Sequence, residues 1–371
     1  MSAPRNPAVA APLLGLEIMR FVCAVSVLIW HHQHFYVVGA AHVGYVPSQQ
    51  PGFDWLKPFY LHGWLGVQAF WALSGFIFFW KYAQPVSQGR VRAGRFAWLR
   101  FSRLYPLHLV TLLAVLPLIA WYRAQTGQDY VYQHNDASHF LRQLLLASDW
   151  DGRSEWSFNG PIWSISIEVL AYAVFFTLSK LGWVRPWQIA AVIGATGVVY
   201  ALKLTPHPLV LCLFFFYLGG LTHAAWRRMA KLGGTHQASA WWGVALALLG
   251  GTALVAAGRL PPMFYVALLA PLAMLVLLRL VRTHSATWQA RLTLLGHTTY
   301  GSYLLHFPLQ LLVANLSGAQ PERLPLQHPA WLLGYLVLTF ALAAASHRWI
   351  EAPAQEALRA WGERRLFRSR A

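Results

Sequence analysis

Long apolar runs separated by polar segments make up most of this chain. Ten of these runs are long enough for a helix to cross the hydrocarbon core of a bilayer, which takes about 20 residues. They cover approximately residues 13–38, 60–83, 104–122, 160–180, 187–203, 207–226, 240–257, 262–281, 299–317 and 329–350. The pattern therefore predicts an all-α polytopic membrane protein with about ten transmembrane helices.

The basic residues predict the orientation of these helices. If the N-terminus is cytoplasmic, 21 of the 29 Lys and Arg residues fall in inner segments and 7 in outer ones, with Arg20 inside a span. Lys and Arg are enriched in cytoplasmic segments of membrane proteins. Both termini are therefore expected in the cytoplasm. The net charge of +17 then reflects topology and contact with the lipid bilayer, and no nucleic acid is expected as a partner.

The composition agrees with a membrane protein, because 57% of the residues are hydrophobic and 11% are charged, against about 25% charged in soluble domains. No cleavable signal peptide precedes the first span, so that span is expected to be retained. The chain is interpreted as one transmembrane domain over 1–371, with a core at 13–353 and a basic cytoplasmic tail at 354–371. Cys23 and Cys212 lie in apolar runs and are expected to be core residues.

The first span carries an unusual number of ionisable residues, namely Glu17, Arg20, His31, His32 and His34. Such groups are costly in hydrocarbon unless they face a polar interior, so this helix is predicted to line a site. Arg20 and His31 are about 16 Å apart along a helix axis. A histidine with a pKa near neutrality can accept a proton from a hydroxyl, which makes His31 a candidate general base. A hydrogen bond between helices is the alternative.

The acidic residues in the predicted spans also have structural explanations that need no catalytic role. Glu17 lies one turn before Arg20 and is expected to neutralise it in an ion pair. Glu168 lies two turns into the fourth span, where it would orient an imidazole, neutralise Arg20 or make a hydrogen bond between helices. Asn159 or Ser157 is expected to cap that helix.

Two further polar residues lie in apolar runs. His306 in the ninth span is, taken alone, more typical of a hydrogen-bonded core histidine than of a ligand. Ser74 next to Gly75 is typical of close helix packing. There is no nucleotide-binding loop, dinucleotide fingerprint, H-E-x-x-H pair or cysteine cluster. No metal is therefore expected.

Three polar segments lie between the spans. The inner segment 84–103 is rich in arginine, which contacts lipid headgroups or binds phosphate groups bidentately. The outer segments 39–59 and 123–159 contain aromatic residues. Tyr45, Trp150 and Trp156 would stack on sugar rings or anchor the protein at the membrane interface.

Several motifs resemble those of the membrane-bound acyltransferase 3 family, and they occur in the family's order. Arg20 through His31 fits its R-x10-H signature in the first span. Residues 63–76, GWLGVQAFWALSGF, resemble its second-span motif. Residues 100–106 fit R-x-x-R-x-x-P, and residues 163–172 fit W-S-[LI]-x-x-E-x-x-x-Y.

The resemblance continues to the end of the apolar part of the chain. Residues 299–308 are similar to a late S-Y-x-x-Y-L-x-H-x-P block, with Thr299 in place of the serine. Residues 348–353 are similar to the family's closing motif, with Ala352 where an arginine is common. Together the motifs span about 13–353, and their conjunction is far more specific than any one of them.

The resemblance implies transfer of an acyl group, most commonly acetyl from acetyl-CoA, to a hydroxyl of an extracytoplasmic carbohydrate. The implied catalytic residues are His31, Arg20 and Glu168. If CoA is the donor, we predict that it docks at the inner face with its phosphates on Arg100 and Arg103 of the basic segment, joined by Arg95. The residues implied to line the site are Ser74, Tyr172, Tyr303, His306 and Trp150. A stand-alone member without an SGNH-type domain, in a bacterial inner membrane, is expected.

Two other functions are compatible with the same residues. A small-molecule acceptor would use the same chemistry on a different substrate. A non-enzymatic transporter would use the buried charges as a substrate or proton path, although the chain lacks the paired halves that many transporters have. The sequence does not distinguish direct transfer from a transient acetyl-histidine, and it gives no oligomeric state.

Overall fold

The apolar runs fold as helices in the order that the sequence predicts. The computed structural model describes residues 13–283 and 285–367. Its helices are α1 Leu14–Trp30, α2 Phe53–His62, α3 Gly66–Phe78, α4 Gln84–Ser87, α5 Ala93–Thr126, α6 Ala137–Leu144, α7 Ile162–Lys180, α8 Pro186–Ala201, α9 Pro208–Met229, α10 Gly234–Ala256, α11 Pro262–Leu280, α12 Ala286–Leu316, α13 Pro329–Ser346 and α14 Ala352–Arg365. Strands β1 Val37–Val38 and β2 Ala41–His42 form a small antiparallel hairpin.

The predicted class, an all-α polytopic membrane protein, is confirmed. Within the described residues, eight helical segments are long and apolar enough to cross a membrane. The remaining two predicted spans also coincide with helices, the 16-residue α8 and the less uniformly apolar α12. The total of ten crossings and the cytoplasmic termini stay predictions. Arg5, Arg368 and Arg370, which contributed to the charge count, lie outside the described residues.

Helix α1 lies at the centre of the bundle, where it packs against α3, α11 and α12. Helix α3 packs along α9, and α12 also contacts α5 and α13. Helix α10 lies at the periphery, since only 6% of its most apolar window is buried. The helix that carries Glu17 and Arg20 and leads into the histidines is therefore enclosed by other helices.

Glycines allow α3 and α9 to approach closely. A Cβ atom at Gly75 would overlap the carbonyl oxygen of Phe216, and one at Gly219 would overlap that of Ala72. The expectation that the Ser74–Gly75 pair marks close helix packing is confirmed. Backbone-to-backbone contact of this kind is the usual role of small residues between membrane helices.

Three departures from regular α-helix bear on the site. Helix α1 tightens into a 3₁₀ turn at His31–Tyr36, while wider π turns occur at Phe79–Ala83 and His347–Glu351. The last of these leads into α14, which covers most of the predicted basic tail and packs on the inner end of α5. There the Trp98 indole donates to the Leu358 carbonyl at 2.9 Å.

The expected side-chain cap of the fourth span by Asn159 or Ser157 is wrong. Helix α7 follows Pro161 and has no side-chain cap. The Asn159 amide instead donates to the Leu304 carbonyl of α12 at 3.0 Å. The reason is that the helix begins in a buried environment at Pro161 and Ile162, where the Asn159 side chain makes a contact between helices instead of a cap.

We predict opposite effects on stability for the same substitution in two helices. Gly219→Ala should lower the free energy of unfolding by about 1–3 kcal/mol, because the added methyl group collides with backbone. Gly243→Ala in α10, where a Cβ atom has nothing within 4 Å, should raise it by about 0.5–1 kcal/mol. Thermal unfolding of the detergent-solubilised variants measures both. Equal behaviour of the two variants would contradict the tight packing of α3 on α9.

Candidate functional site

An internal cavity of about 160 Å³ lies between α1, α3, α5, α7 and α12. Its wall combines aromatic and aliphatic side chains with a concentrated set of polar ones. The polar lining residues are Arg20, Ser74, Arg100, Arg103, Ser164, Glu168, Tyr172, Thr299, Tyr300 and Tyr303. The structure therefore gathers into one cavity residues that are spread over most of the sequence.

Arg100 is the cavity cation that is least neutralised by the protein. Its Nη2 donates to the Tyr82 hydroxyl at 2.6 Å, and its guanidinium lies 5.1 Å and 5.0 Å from the ring centres of Phe78 and Tyr82. Its Nε atom is buried and has no hydrogen-bond partner in the described part of the chain, where no carboxylate forms an ion pair with it either. A buried guanidinium with unused donors is suited to bind an anion.

The other two cavity arginines each have an acidic partner. Arg20 Nη1 lies 3.2 Å from Glu17 Oε2, which confirms the predicted ion pair. Glu17 fits against Gly296, where a Cβ atom would overlap its carboxylate. Arg103 Nη1 lies 3.7 Å from Glu351 Oε2, at the end of the second π turn. Both acids lie behind the cavity wall and so hold the guanidinium groups in place.

Glu168 is the single acidic side chain in the cavity lining. Its Oε1 accepts a hydrogen bond of 2.8 Å from the Tyr172 hydroxyl one turn later in α7. The carboxylate shares the cavity with Arg20 and Arg100 but forms no ion pair with either in the described structure. Because Glu17 and Glu351 neutralise Arg20 and Arg103, the two cavity charges without an ion-pair partner among the described residues are the Arg100 guanidinium and the Glu168 carboxylate.

The histidines form a second cluster beside the cavity. The His31 ring stacks on the His306 ring with centroids 4.7 Å apart and lies 4.7 Å from the His34 ring. His306 is fully buried, and neither of its ring nitrogens has a hydrogen-bond partner among the described residues. The cluster lies where α1 passes into its 3₁₀ turn, which turns His31 and His34 to the same side.

Tyr303 connects the histidine cluster to the cavity. Its hydroxyl lies 2.7 Å from the Ser164 hydroxyl in the cavity wall, and its ring lies 6.0 Å from the His306 ring one turn later in α12. Glu168 does not contact His31, so it does not orient that imidazole directly. The polar groups thus form a continuous row, from the cavity arginines through Tyr303 to the histidines.

The family model for the acyltransferase domain of the acyltransferase 3 family matches residues 13–348. The chain belongs to that family. It is therefore a multi-pass membrane acyltransferase. The described residues hold all of the matched segment except residue 284. No curated protein and no solved structure matches the chain.

Two of the predicted site residues of the acyltransferase lie away from the cavity. Arg95 is 49% exposed and pairs with Glu363 of α14 at 2.9 Å. Trp150 donates from its indole to the Ser166 carbonyl at 2.9 Å and is 44% exposed. Neither side chain contributes to the cavity lining or to the histidine cluster.

The outer loop of the acyltransferase covers the histidine cluster. The Tyr130 hydroxyl donates to the His34 carbonyl at 2.5 Å, and the Tyr132 ring packs edge-on against the His34 ring. Helix α6 in this loop begins at Asp136, whose side chain accepts hydrogen bonds from the Ser138 and His139 backbone. These hydrogen bonds hold the pKa of Asp136 well below its usual range, so this cap persists throughout the physiological pH range.

Sequence patterns missed several residues that shape the site. Tyr82 and Glu351, the partners of Arg100 and Arg103, lie in π turns that no local pattern identifies. Gln310 donates to the His31 carbonyl at 2.8 Å and contacts His34. A polar amide two residues after Pro308 in an apolar helix was an available signal for this contact, since buried amides need partners.

We predict that Arg100 and Arg95 differ sharply in importance. Arg100→Ala should lower acyl transfer at limiting acyl donor by at least about tenfold, the effect of losing one charge-assisted hydrogen bond. Arg95→Ala should change it by less than about twofold, because an exposed ion pair contributes little. Initial rates against donor concentration, with equal amounts of folded protein, measure both. A larger loss in Arg95→Ala would place donor binding outside the cavity.

Proposed function

We propose that this membrane acyltransferase moves an acyl group, which we take to be acetyl, from cytoplasmic acyl-CoA to a hydroxyl of an extracytoplasmic carbohydrate. Candidate acceptors are an exopolysaccharide, an O-antigen or a lipid-linked glycan. The observation that carries the proposal is the row of polar groups from the arginine-lined cavity to His31 through Tyr303 and His306.

The cavity supports an anionic acyl donor. Arg100 and Arg103 would contact phosphate groups of CoA, because guanidinium groups bind phosphate bidentately. A cavity of about 160 Å³ is smaller than pockets for whole drug-sized ligands, which are about 300–1,000 Å³. It would therefore hold only part of the donor, namely the phosphate groups at Arg100 and Arg103 and the start of the arm that leads to the thioester, while the rest of the nucleotide lies at the inner face near α14.

The histidine cluster supports a base that acts on the acceptor. The Nε2 atom of His31 would take the proton of the acceptor hydroxyl as its oxygen bonds to the thioester carbonyl carbon. The carbon–sulfur bond then breaks, and the proton returns from His31 to the leaving CoA thiolate. Arg20 would contribute positive charge along the path by which the thioester reaches His31. Glu168 would contribute the compensating charge in the cavity.

The acceptor would enter from the outer side, beneath the loop that carries Tyr130 and Tyr132. The Trp156 ring, 40% exposed, stacks on Trp163 and lies edge-on to Tyr132, 6.4 Å between centroids. An exposed aromatic surface next to an imidazole is suited to a sugar ring. The proposed location is a bacterial inner membrane, with the CoA side facing the cytoplasm.

We predict that His31→Ala removes activity and leaves a folded protein. Loss of a general base lowers the rate by about 10²–10⁴-fold. Surface glycans from cells with the intact chain should show an ester acetyl signal by NMR, and cells with the His31→Ala protein should lack it. His236→Phe, in the peripheral α10, is the control, and cells with this variant should show the same acetyl signal as cells with the intact chain. Acetylation by the His31→Ala protein at the normal level would overturn the assignment.

The same cells distinguish the alternatives. No change in any glycan, together with CoA release by purified protein when small alcohols are added, would favour a small-molecule acceptor. No CoA release under any condition would contradict an acyltransferase with acyl-CoA as donor.

A further inference from the structure

Gln310 is a fully buried amide at the centre of the histidine cluster. Its Nε2 donates to the His31 carbonyl at 2.8 Å and lies 3.1 Å from the Tyr335 hydroxyl, while its Oε1 lies 3.1 Å from His34 Nδ1. A backbone carbonyl oxygen can only accept a hydrogen bond, so the contact with His31 determines which end of the amide is the donor. The orientation of Gln310 is therefore defined by chemistry.

This orientation determines the tautomer of His34. Because Gln310 presents its oxygen to His34 Nδ1, that nitrogen must carry the proton and donate. A neutral His34 then has its lone pair on Nε2. The Tyr130 hydroxyl binds the His34 carbonyl at the same time, so both the backbone and the ring of His34 are held.

Nε2 of His31 and Nε2 of His34 take no hydrogen bond from the described residues and are not among the fully buried nitrogens. Both ring nitrogens of His32 and of His306, in contrast, are fully buried without partners, and so is Nδ1 of His31. The ring centroids of His31 and His34 lie 4.7 Å apart, which is close enough for one ligand to contact both imidazoles.

We propose that His34, locked by Gln310 as the Nδ1-protonated tautomer, is a second substrate-binding imidazole that accepts a hydrogen bond from another hydroxyl of the acceptor. The proposal rests on the proposed role of His31 as the base. His31 takes the proton of the hydroxyl that is acylated, and His34 holds its neighbour. The substrate class is thus a polyol with adjacent hydroxyl groups, such as a sugar ring, rather than a simple alcohol.

The tautomer is tested without any assay of activity. In protein labelled with [¹⁵N]histidine, NMR separates protonated from unprotonated ring nitrogens, and the His34 signals are those that disappear in His34→Phe. We expect one protonated Nδ1 and one unprotonated Nε2 at neutral pH. Gln310→Met, which removes the amide at similar volume, should convert this pattern to a mixture of tautomers. A protonated Nε2 in the unsubstituted protein would overturn the proposal.

Kinetics test the second hydrogen bond. With acetyl-CoA as donor, CoA release is compared with ethane-1,2-diol and with ethanol as acceptor probes. His34→Phe should lower kcat/KM for the diol about tenfold or more, leave that for ethanol within about twofold, and leave the KM for acetyl-CoA unchanged. His34→Gln, whose amide oxygen takes the place of Nε2, should recover part of the loss. His236→Phe is the control.

The outcomes separate this proposal from the proposed function. If His34→Phe lowers kcat/KM equally for ethane-1,2-diol and ethanol, the role of His34 is structural and the proposal is overturned. The proposed function, acyl transfer, would be unaffected by that result. If neither acceptor probe supports CoA release, the NMR experiment tests the proposal by itself. In that case an unchanged tautomer pattern of His34 in the Gln310→Met protein overturns the proposal.

Discussion

The structure depends on holding three guanidinium groups inside a membrane domain. Charges at that depth are costly, and removing one partner of a buried pair leaves the other uncompensated. Glu17, Glu351 and Tyr82 supply the partners from three separate segments of the chain. The contacts of the three arginines therefore constrain where α1, α5 and the two π turns lie relative to one another.

The two π turns are where this constraint changes the backbone. A π turn inserts one extra residue and shifts the face that the following side chains present, and such turns are frequent at functional sites. Here one turn contains Tyr82 and the other ends at Glu351, so both present a partner to an arginine of α5. The regular α-helical hydrogen bonds are interrupted at these two π turns, and in return Arg100 and Arg103 are held in defined positions.

The positions of the helices along the chain could be predicted because length and apolarity are local properties. The ion pair of Arg20 with Glu17 was predictable for the same reason, since both lie on one helix one turn apart. Glu168 shows the limit of this reasoning. Its depth was estimated by counting turns, but the rotation of α7 about its axis was not, and the side chain faces the cavity and Tyr172 instead of His31.

Other parts of the site depend on contacts between distant segments. The basic segment suggested Arg95 as a partner of Arg100 and Arg103 in binding phosphate, but Arg95 instead pairs with Glu363 of α14 at the surface. The basic composition of that segment favours a solvated tail, whereas Trp98, Leu358 and the ion pair bind it to α5. Gln310 carries no motif, and its role follows only from the three groups that surround it.

The contact between Glu17 and Gly296 limits the order in which this protein can change during evolution. A side chain at position 296 would meet the Glu17 carboxylate, so a substitution there displaces that carboxylate. Losing the carboxylate leaves Arg20 without its ion-pair partner. A change at either position therefore acts on Arg20, and it costs least after Arg20 has gained another partner.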